Sequence, residues 1–96
     1  MTIETTKTVV QVRSTVLAGV ALSEALRKRL AELSDRLPGA DFAWVDGAVV
    51  VAAEVPAFMA EEDEILEAGI TVQRVAAHFE ADLHREFGGE RLALAA

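Results

Sequence analysis

The sequence lacks several features that would point to a particular chemistry or location. It has no cysteine and no tyrosine, two prolines and one tryptophan among 96 residues. Without cysteine there is no disulfide framework and no thiol nucleophile, which fits a reducing cytoplasm. The longest apolar run, residues 48–53, is far too short to cross a bilayer, and the threonine-rich N-terminus has no apolar signal region. We therefore expect a cytoplasmic protein.

Basic residues are also scarce, and this bears on the kind of partner. Nine basic residues stand against 16 acidic ones, a formal net charge of −7. Nucleic-acid binding needs a basic stripe, and the cluster Arg27-Lys28-Arg29 has Glu24 and Glu32 beside it. We interpret this cluster as the solvated face of a helix rather than a phosphate-binding patch. The acidic balance predicts no binding to nucleic acid or to anionic membranes.

The length and the apolar content predict a small domain with more apolar surface than it can hide. A chain of 96 residues is expected to be a single domain that buries roughly 60–65% of its unfolded surface. Hydrophobic residues make up 52% of the sequence, yet only five are aromatic. We expect a single α+β domain over residues 1–96, with residues 1–6 and 91–96 flexible.

The first half of the chain predicts a strand followed by an amphipathic helix. β-branched residues dominate residues 7–17 and indicate a strand. Ser23 is a suitable N-cap for a helix over residues 23–37. This helix carries a narrow stripe of leucines, namely Leu22, Leu26, Leu30, Leu33 and Leu37. Such a stripe packs into the core or forms a seam between two subunits, and both are compatible where the stripe is only partly covered within one subunit. Leu26 and Leu30 are our candidates for the seam.

A β-hairpin follows, and both of its faces are apolar. Asp46-Gly47 predicts a type I′ turn between strands 41–45 and 48–55. The face with the large side chains is expected to lie under the helices and consists of Phe42, Trp44, Val49, Val51, Ala53 and Val55. The other face carries the small side chains Ala43, Val45, Ala48, Val50 and Ala52. A solvated sheet face normally carries polar residues, so a partner subunit or a client segment is expected to cover it.

The last third of the chain predicts a long helix over residues 60–88. Acidic residues 61–64 suit its N-terminus, and Gly88-Gly89 supplies a left-handed stop. Gly69 lies in its middle and predicts a kink or a close helix contact. The predicted apolar stripe consists of Ile65, Ala68, Val72, Val75, Ala76, Phe79, Leu83 and Phe87.

No residue pattern predicts catalysis or metal binding. His78 and His84 are six positions apart on one helix and point in different directions, so they cannot share a zinc site. We interpret each as a surface partner of a carboxylate at helical spacing. The carboxylates are expected on exposed faces, and no nucleophile elbow or phosphate loop is present. Trp44 is the one candidate aromatic anchor, and burial in the core is the simpler interpretation.

The stretch from about Val9 to Arg91 resembles the YbjN / type III secretion chaperone-like superfamily, particularly its actinobacterial small-domain members. The resemblance depends on the helix end and hairpin entry over residues 37–42, on the Val45-Asp46-Gly47 turn, and on the ending over residues 81–89. It implies helices on an antiparallel sheet, frequent dimerisation, and protein binding without catalysis. Family domains carry an N-terminal helix and further strands before residue 7. This chain is expected to replace them by dimerisation or strand exchange.

These observations predict an α+β fold, in which an N-terminal strand and a hairpin form an antiparallel sheet with two helices packed on it. The expected function is a non-enzymatic protein-binding module, a homodimeric chaperone-like or regulatory adaptor without metal or cofactor. The alternative is a small-ligand sensor with a pocket between the hairpin and the helices. A preformed apolar cavity with converging polar groups would favour the sensor, and a flat apolar face or groove would favour protein binding.

Overall fold

The computed structural model describes residues 1–92, which form an antiparallel sheet with two helices against it. The elements in chain order are β1 (Thr2–Thr5), β2 (Val9–Ala18), α1 (Glu24–Arg36), β3 (Asp41–Val45), β4 (Ala48–Pro56), α2 (Glu62–Phe87) and β5 (Glu90–Arg91). A single 3-10 turn, Ala57–Met59, joins β4 to α2. The predicted α+β fold is thereby confirmed. Residues 93–96, the end of the tail that we expected to be flexible, lie outside the described residues.

The sheet has five strands rather than the three that we predicted. Their order is β1-β2-β4-β3, and β5 also pairs with β2. Leu17 of β2 lies between Val49 of β4 and Arg91 of β5, so β5 shares with β1 the edge of β2 that faces away from β4. The strand β1 therefore supplies, from this same chain, a strand before residue 7 of the kind that we expected the chain to lack.

The N-terminus is a strand and not the frayed end that we expected. Residues Thr2–Thr5 pair with β2, from Thr2 opposite Arg13 to Thr5 opposite Val10. Thr6 closes the hairpin, because its backbone N–H donates to the Val9 carbonyl at 2.9 Å and its hydroxyl oxygen accepts from the Val9 N–H at 3.1 Å. The prediction overlooked that a short β-branched segment becomes ordered once a neighbouring strand pairs with it.

The β3–β4 hairpin has the predicted turn and the predicted register. Asp46 and Gly47 have φ values of 48° and 83°, as a type I′ turn requires. The register pairs Val45 with Ala48, and Phe42 with Val51 further along the hairpin. Because side chains opposite each other share a face, this register separates the large and the small side chains onto opposite faces.

The core lies between the sheet and the two helices, with α2 over β2 and β4 and α1 beside β3. Ser23 caps α1, because its hydroxyl oxygen accepts from the Leu26 N–H at 3.1 Å. The leucines of the α1 stripe that lie in the core are Leu26, Leu30 and Leu33. On α2 the buried residues are Gly69, Val72, Ala76, Glu80 and Leu83. Neither helix in the described part of the chain is long and apolar enough to cross a membrane.

Two charged side chains on the helices depart from the exposed positions that we predicted. Glu80 is 0% exposed and receives a hydrogen bond from Arg91 at 2.6 Å, because β5 returns beside α2. Arg29 is half-buried and lies 3.5 Å from the carboxylate of Glu86, so it joins α1 to α2. Arg27 and Lys28 are exposed, as predicted for a solvated helix face.

Candidate functional site

The small side chains of the hairpin lie together on the sheet face that the helices leave uncovered. We call this set the open-face patch, and it consists of Ala43, Val45, Ala48, Val50 and Ala52. Val45 is 41% exposed near the turn, whereas Val50 in the middle of β4 is 9% exposed because its neighbours on both strands shield it. The patch is apolar and next to β2. The structure therefore brings together five of our seven predicted interface residues.

The other two predicted interface residues are buried. Leu26 is 0% exposed and Leu30 is 4% exposed, because both side chains face the core. Of the two interpretations of the leucine stripe, the structure supports core packing. A seam through Leu26 and Leu30 would have required these two side chains to remain partly open.

A first groove runs between α1 and β3, and we call it the α1–β3 groove. It has a volume of about 300 Å³ and is lined by Leu22, Arg27, Leu30, Ala31, Phe42, Ala43 and Trp44. Trp44 is half-buried here, and its indole N–H donates to the Val20 carbonyl at 2.7 Å. Trp44 therefore lies beside α1, whereas the ring contact with α2 is made by Phe42, whose ring centroid is 5.7 Å from that of Phe79.

The outer edge of β3, beside this groove, is partly occupied by α1. The Phe42 N–H donates to the Ser34 hydroxyl oxygen at 2.9 Å, and that hydroxyl donates to the Leu30 carbonyl at 2.9 Å. In an antiparallel ladder only alternate residues direct their backbone groups outward. On β3 these are Phe42 and Trp44, so Ser34 takes one of the two positions where another strand would bind.

A second groove lies between β1 and α2, and we call it the β1–α2 groove. It has a volume of about 460 Å³ and is lined by Met1, Ile3, Glu62, Ile65 and Leu66. Its apolar side chains are unusually open to solvent, since Met1 and Leu66 are each 61% exposed and Ile3 is 47% exposed. Single exposed apolar residues need no explanation, but a contiguous apolar set marks an interaction surface.

The outer edge of β1 borders this groove and is free of any strand within the described residues. Thr6 and Val9 form a hydrogen-bonded pair, so by alternation the backbone groups of Ile3 and Thr5 point away from β2. Ile3 lies opposite the buried Val12, which places its side chain on the same sheet face as α2. A strand added here would direct alternate side chains into the β1–α2 groove.

Sequence reasoning missed the β1–α2 groove, although two signals were present. Residues 1–6 were treated as frayed despite their β-branched content. Leu66 and Ile70 are apolar residues outside the predicted stripe of α2, and the structure leaves them 61% and 44% exposed. An apolar residue off the core stripe of a helix is a cue for a binding surface when a neighbouring element supplies further apolar side chains.

The titratable residues do not form a reactive cluster. Among residues 1–92, no three His, Asp or Glu side chains are positioned to hold a metal ion. His78 lies edge-on to Phe79, with 4.7 Å between the ring centroids. Asp82, the carboxylate at helical spacing from His78, accepts a hydrogen bond from Arg85.

The comparison with known protein families gives a match that covers the sheet, both helices and both grooves. A family model described as "T3SS (YopN, CesT) and YbjN peptide-binding chaperone 1" matches residues 1–94. No curated protein has a significantly similar sequence. The match includes β1, which lines the larger groove.

Proposed function

Since this chain belongs to the family of T3SS (YopN, CesT) and YbjN peptide-binding chaperones, we propose that it is a non-enzymatic, homodimeric, cytoplasmic module that holds an extended segment of a client protein. The observation that carries the proposal is the free edge of β1 beside the β1–α2 groove. The edge offers hydrogen bonds to any backbone, and the groove offers an apolar surface to alternate side chains. Together they select an extended apolar segment with little regard to its detailed sequence.

The addition of a client strand to β1 has two favourable contributions to the binding free energy. The outward backbone groups of Ile3 and Thr5 gain partners, each hydrogen bond contributing roughly 0.5–1.5 kcal/mol net. A client side chain of leucine size that becomes buried against Ile3 and Leu66 contributes about 1.5–3 kcal/mol.

The edge of β1 is a better docking position than the edge of β3. On β3 the Ser34 hydroxyl oxygen already accepts from the Phe42 N–H, so an added strand would have to displace it. On β1 neither Ile3 nor Thr5 has such a side-chain partner among the described contacts. An added strand can therefore form more backbone hydrogen bonds at the edge of β1 than at the edge of β3.

The open-face patch supports the homodimer. Two sheets that pack face to face stand about 10 Å apart and keep their strands nearly aligned. The alanines and valines of the patch suit this close approach, and the patch lies on the opposite face of the sheet from the β1–α2 groove. A dimer formed through this patch leaves both copies of the groove open to clients.

The second candidate function is a small-ligand sensor that uses the α1–β3 groove. This groove lies between the hairpin and a helix, and its 300 Å³ is at the lower end of the usual range for ligand pockets. Its lining is apolar apart from the guanidinium of Arg27. The few polar groups favour the chaperone over the sensor, because specific ligand sites normally combine several converging polar groups.

Binding of a labelled, terminally blocked peptide in which valine and isoleucine alternate with threonine tests the proposal by fluorescence anisotropy. Leu66→Asp places a charge in the β1–α2 groove and is expected to weaken binding at least tenfold. Leu22→Asp is the matched control, because Leu22 is similarly exposed but lines the α1–β3 groove. Thr5→Pro removes an outward N–H and no ladder bond, and it is expected to weaken binding without unfolding the protein.

Thermal unfolding of each variant, followed by circular dichroism, separates lost binding from lost folding. The proposal fails if the peptide does not bind, or if Leu66→Asp and Thr5→Pro bind it as well as the parent. Loss of binding in Leu22→Asp alone would move the site to the α1–β3 groove and favour the sensor.

A further inference from the structure

We propose that the client segment carries a lysine or arginine at one end, the end that lies beside the first turn of α2. The proposal rests on the proposed function and adds the chemical class of its client. The segment would be a short strand with apolar residues at alternate positions and polar residues between them. The basic residue would lie beyond one end of this alternating stretch.

The charges around the β1–α2 groove are almost all negative. Exposed carboxylates occur at each of positions 61–64 and again at Glu67. None of these five forms an ion pair within residues 1–92, and Glu62 lines the groove itself. Lys7 is the basic residue nearest to β1 in the sequence, and it forms no ion pair with these five carboxylates. A client cation would therefore meet carboxylates that have no competing partner.

The dipole of α2 reduces this negative field but does not reverse it. A helix N-terminus carries the equivalent of roughly +0.5 elementary charge. Against this partial charge stand four acidic residues, at positions 61–64. The first turn of α2 is therefore negative on balance, and it attracts a cation rather than the anion that a bare helix N-terminus would attract.

The direction of α2 confines these charges to one end of the groove. A Cβ on Gly69 would lie 2.8 Å from the Met1 sulfur, whereas Glu62, seven positions earlier, lines the groove with Ile3. α2 therefore runs opposite to β1, and its acidic first turn lies towards the Thr5 end of the strand. A client in an added strand meets this field at only one of its two ends.

The sheet face that points away from α2 is the reason why we expect polar residues at alternate positions of the client segment. Glu4 and Arg13 lie on that face and form an ion pair at 3.1 Å. Client side chains that do not enter the groove would lie next to this pair and next to Thr2. Polar residues are favoured there, because an apolar side chain would gain no apolar neighbour at this margin.

Three blocked peptides with the same alternating valine–threonine–isoleucine core test the proposal. One carries two lysines before the core, one carries two lysines after it, and one carries two glutamates before it. We expect one lysine peptide to bind about fivefold or more tightly than the other, and the glutamate peptide to bind most weakly. The preference should fall at high salt, where charges beyond a few ångströms are screened.

The double variant Glu62→Gln, Asp63→Asn tests the source of the preference. It should bring the two lysine peptides within about twofold of each other. The matched control is Glu32→Gln, Asp35→Asn, which removes the same charges from the exposed face of α1. This control should keep the difference between the two lysine peptides.

The outcomes separate this inference from the proposed function. Equal binding of all three peptides, still abolished by Leu66→Asp, would overturn the basic end and leave the chaperone proposal standing. A preference that survives Glu62→Gln, Asp63→Asn would likewise overturn it. If no peptide binds at all, the proposed function has failed, and this inference fails with it.

Discussion

Arg91 and Glu80 form an ion pair in which the carboxylate is completely withdrawn from solvent. The Arg91 guanidinium donates to the Glu80 carboxylate at 2.6 Å, and Glu80 is 0% exposed. On the same segment the Leu92 N–H donates to the Val16 carbonyl at 3.2 Å. The pair therefore ties the short strand β5 to α2 while the backbone ties it to β2.

Removing the Arg91 side chain should destabilise the protein much more than removing an exposed arginine. Arg91→Ala takes away a charged donor from a buried carboxylate, and we expect the free energy of unfolding to fall by roughly 1.5–3 kcal/mol. Arg85→Ala breaks an exposed pair with Asp82 and should change the free energy of unfolding by less than about 0.5 kcal/mol. Urea unfolding of both variants measures the difference. Equal effects would show that β5 contributes little to the fold.

Replacing Gly69 by alanine should stabilise the protein slightly. Alanine is favoured over glycine in a helix by about 0.8–1 kcal/mol, and the new Cβ meets the Met1 sulfur, which is the far end of a flexible side chain. A bulkier Gly69→Leu should destabilise, because the larger side chain also reaches Val12. Urea unfolding compares the three proteins. A marked loss of stability in Gly69→Ala would mean that Met1 cannot move aside.

Trp44 should report a partly protected site rather than a fully buried one. Its indole is half-buried and bonded to the Val20 carbonyl, so its fluorescence should be moderately blue-shifted and only partly quenched by iodide. Trp44→Phe keeps a ring but leaves the Val20 carbonyl without this donor, at a cost of about 1 kcal/mol. Trp44→Ala should cost about 2 kcal/mol or more, because it also removes the packing. Free quenching by iodide would contradict the structure at this position.

The homodimer should depend on the open-face patch. Ala43→Glu puts a charge in the middle of an apolar interface, and light scattering at micromolar concentration should then give the mass of a monomer. Ala43 is exposed in the single chain, so thermal unfolding of the separated subunit should change little. Ala25→Glu, at an exposed alanine of α1, is the matched control. A parent protein that is monomeric at every concentration would exclude this assembly.

Removal of metal should have no effect on stability. His78 contacts a phenyl ring, and the carboxylates of Glu80 and Asp82 have arginine partners. We therefore expect Tm to be the same with and without a strong chelator. A shift of several degrees would reveal a metal site that these side chains do not account for.

The parts of the fold that the sequence determined are those whose cause is local. The Asp46-Gly47 turn needs only two residues that accept a positive φ, and this turn sets the register of the hairpin. That register in turn sorts the hairpin side chains onto two faces, so the open-face patch was predictable. The Ser23 cap follows from a contact within three residues, and helical spacing places Leu26, Leu30 and Leu33 on one face of α1.

Only the tertiary structure decided that β1 and β5 form and where the grooves lie. A four-residue strand such as β1 has no stability by itself, and it forms because the edge of β2 pairs with it. Glu80 is buried because β5 returns along β2 and brings Arg91 to it, 11 residues further along the chain. Leu66 stays open because α2 lies over β2 and β4 and does not reach across β1. These outcomes depend on pairing between distant segments, whereas periodicity and turn chemistry describe only neighbours along the chain.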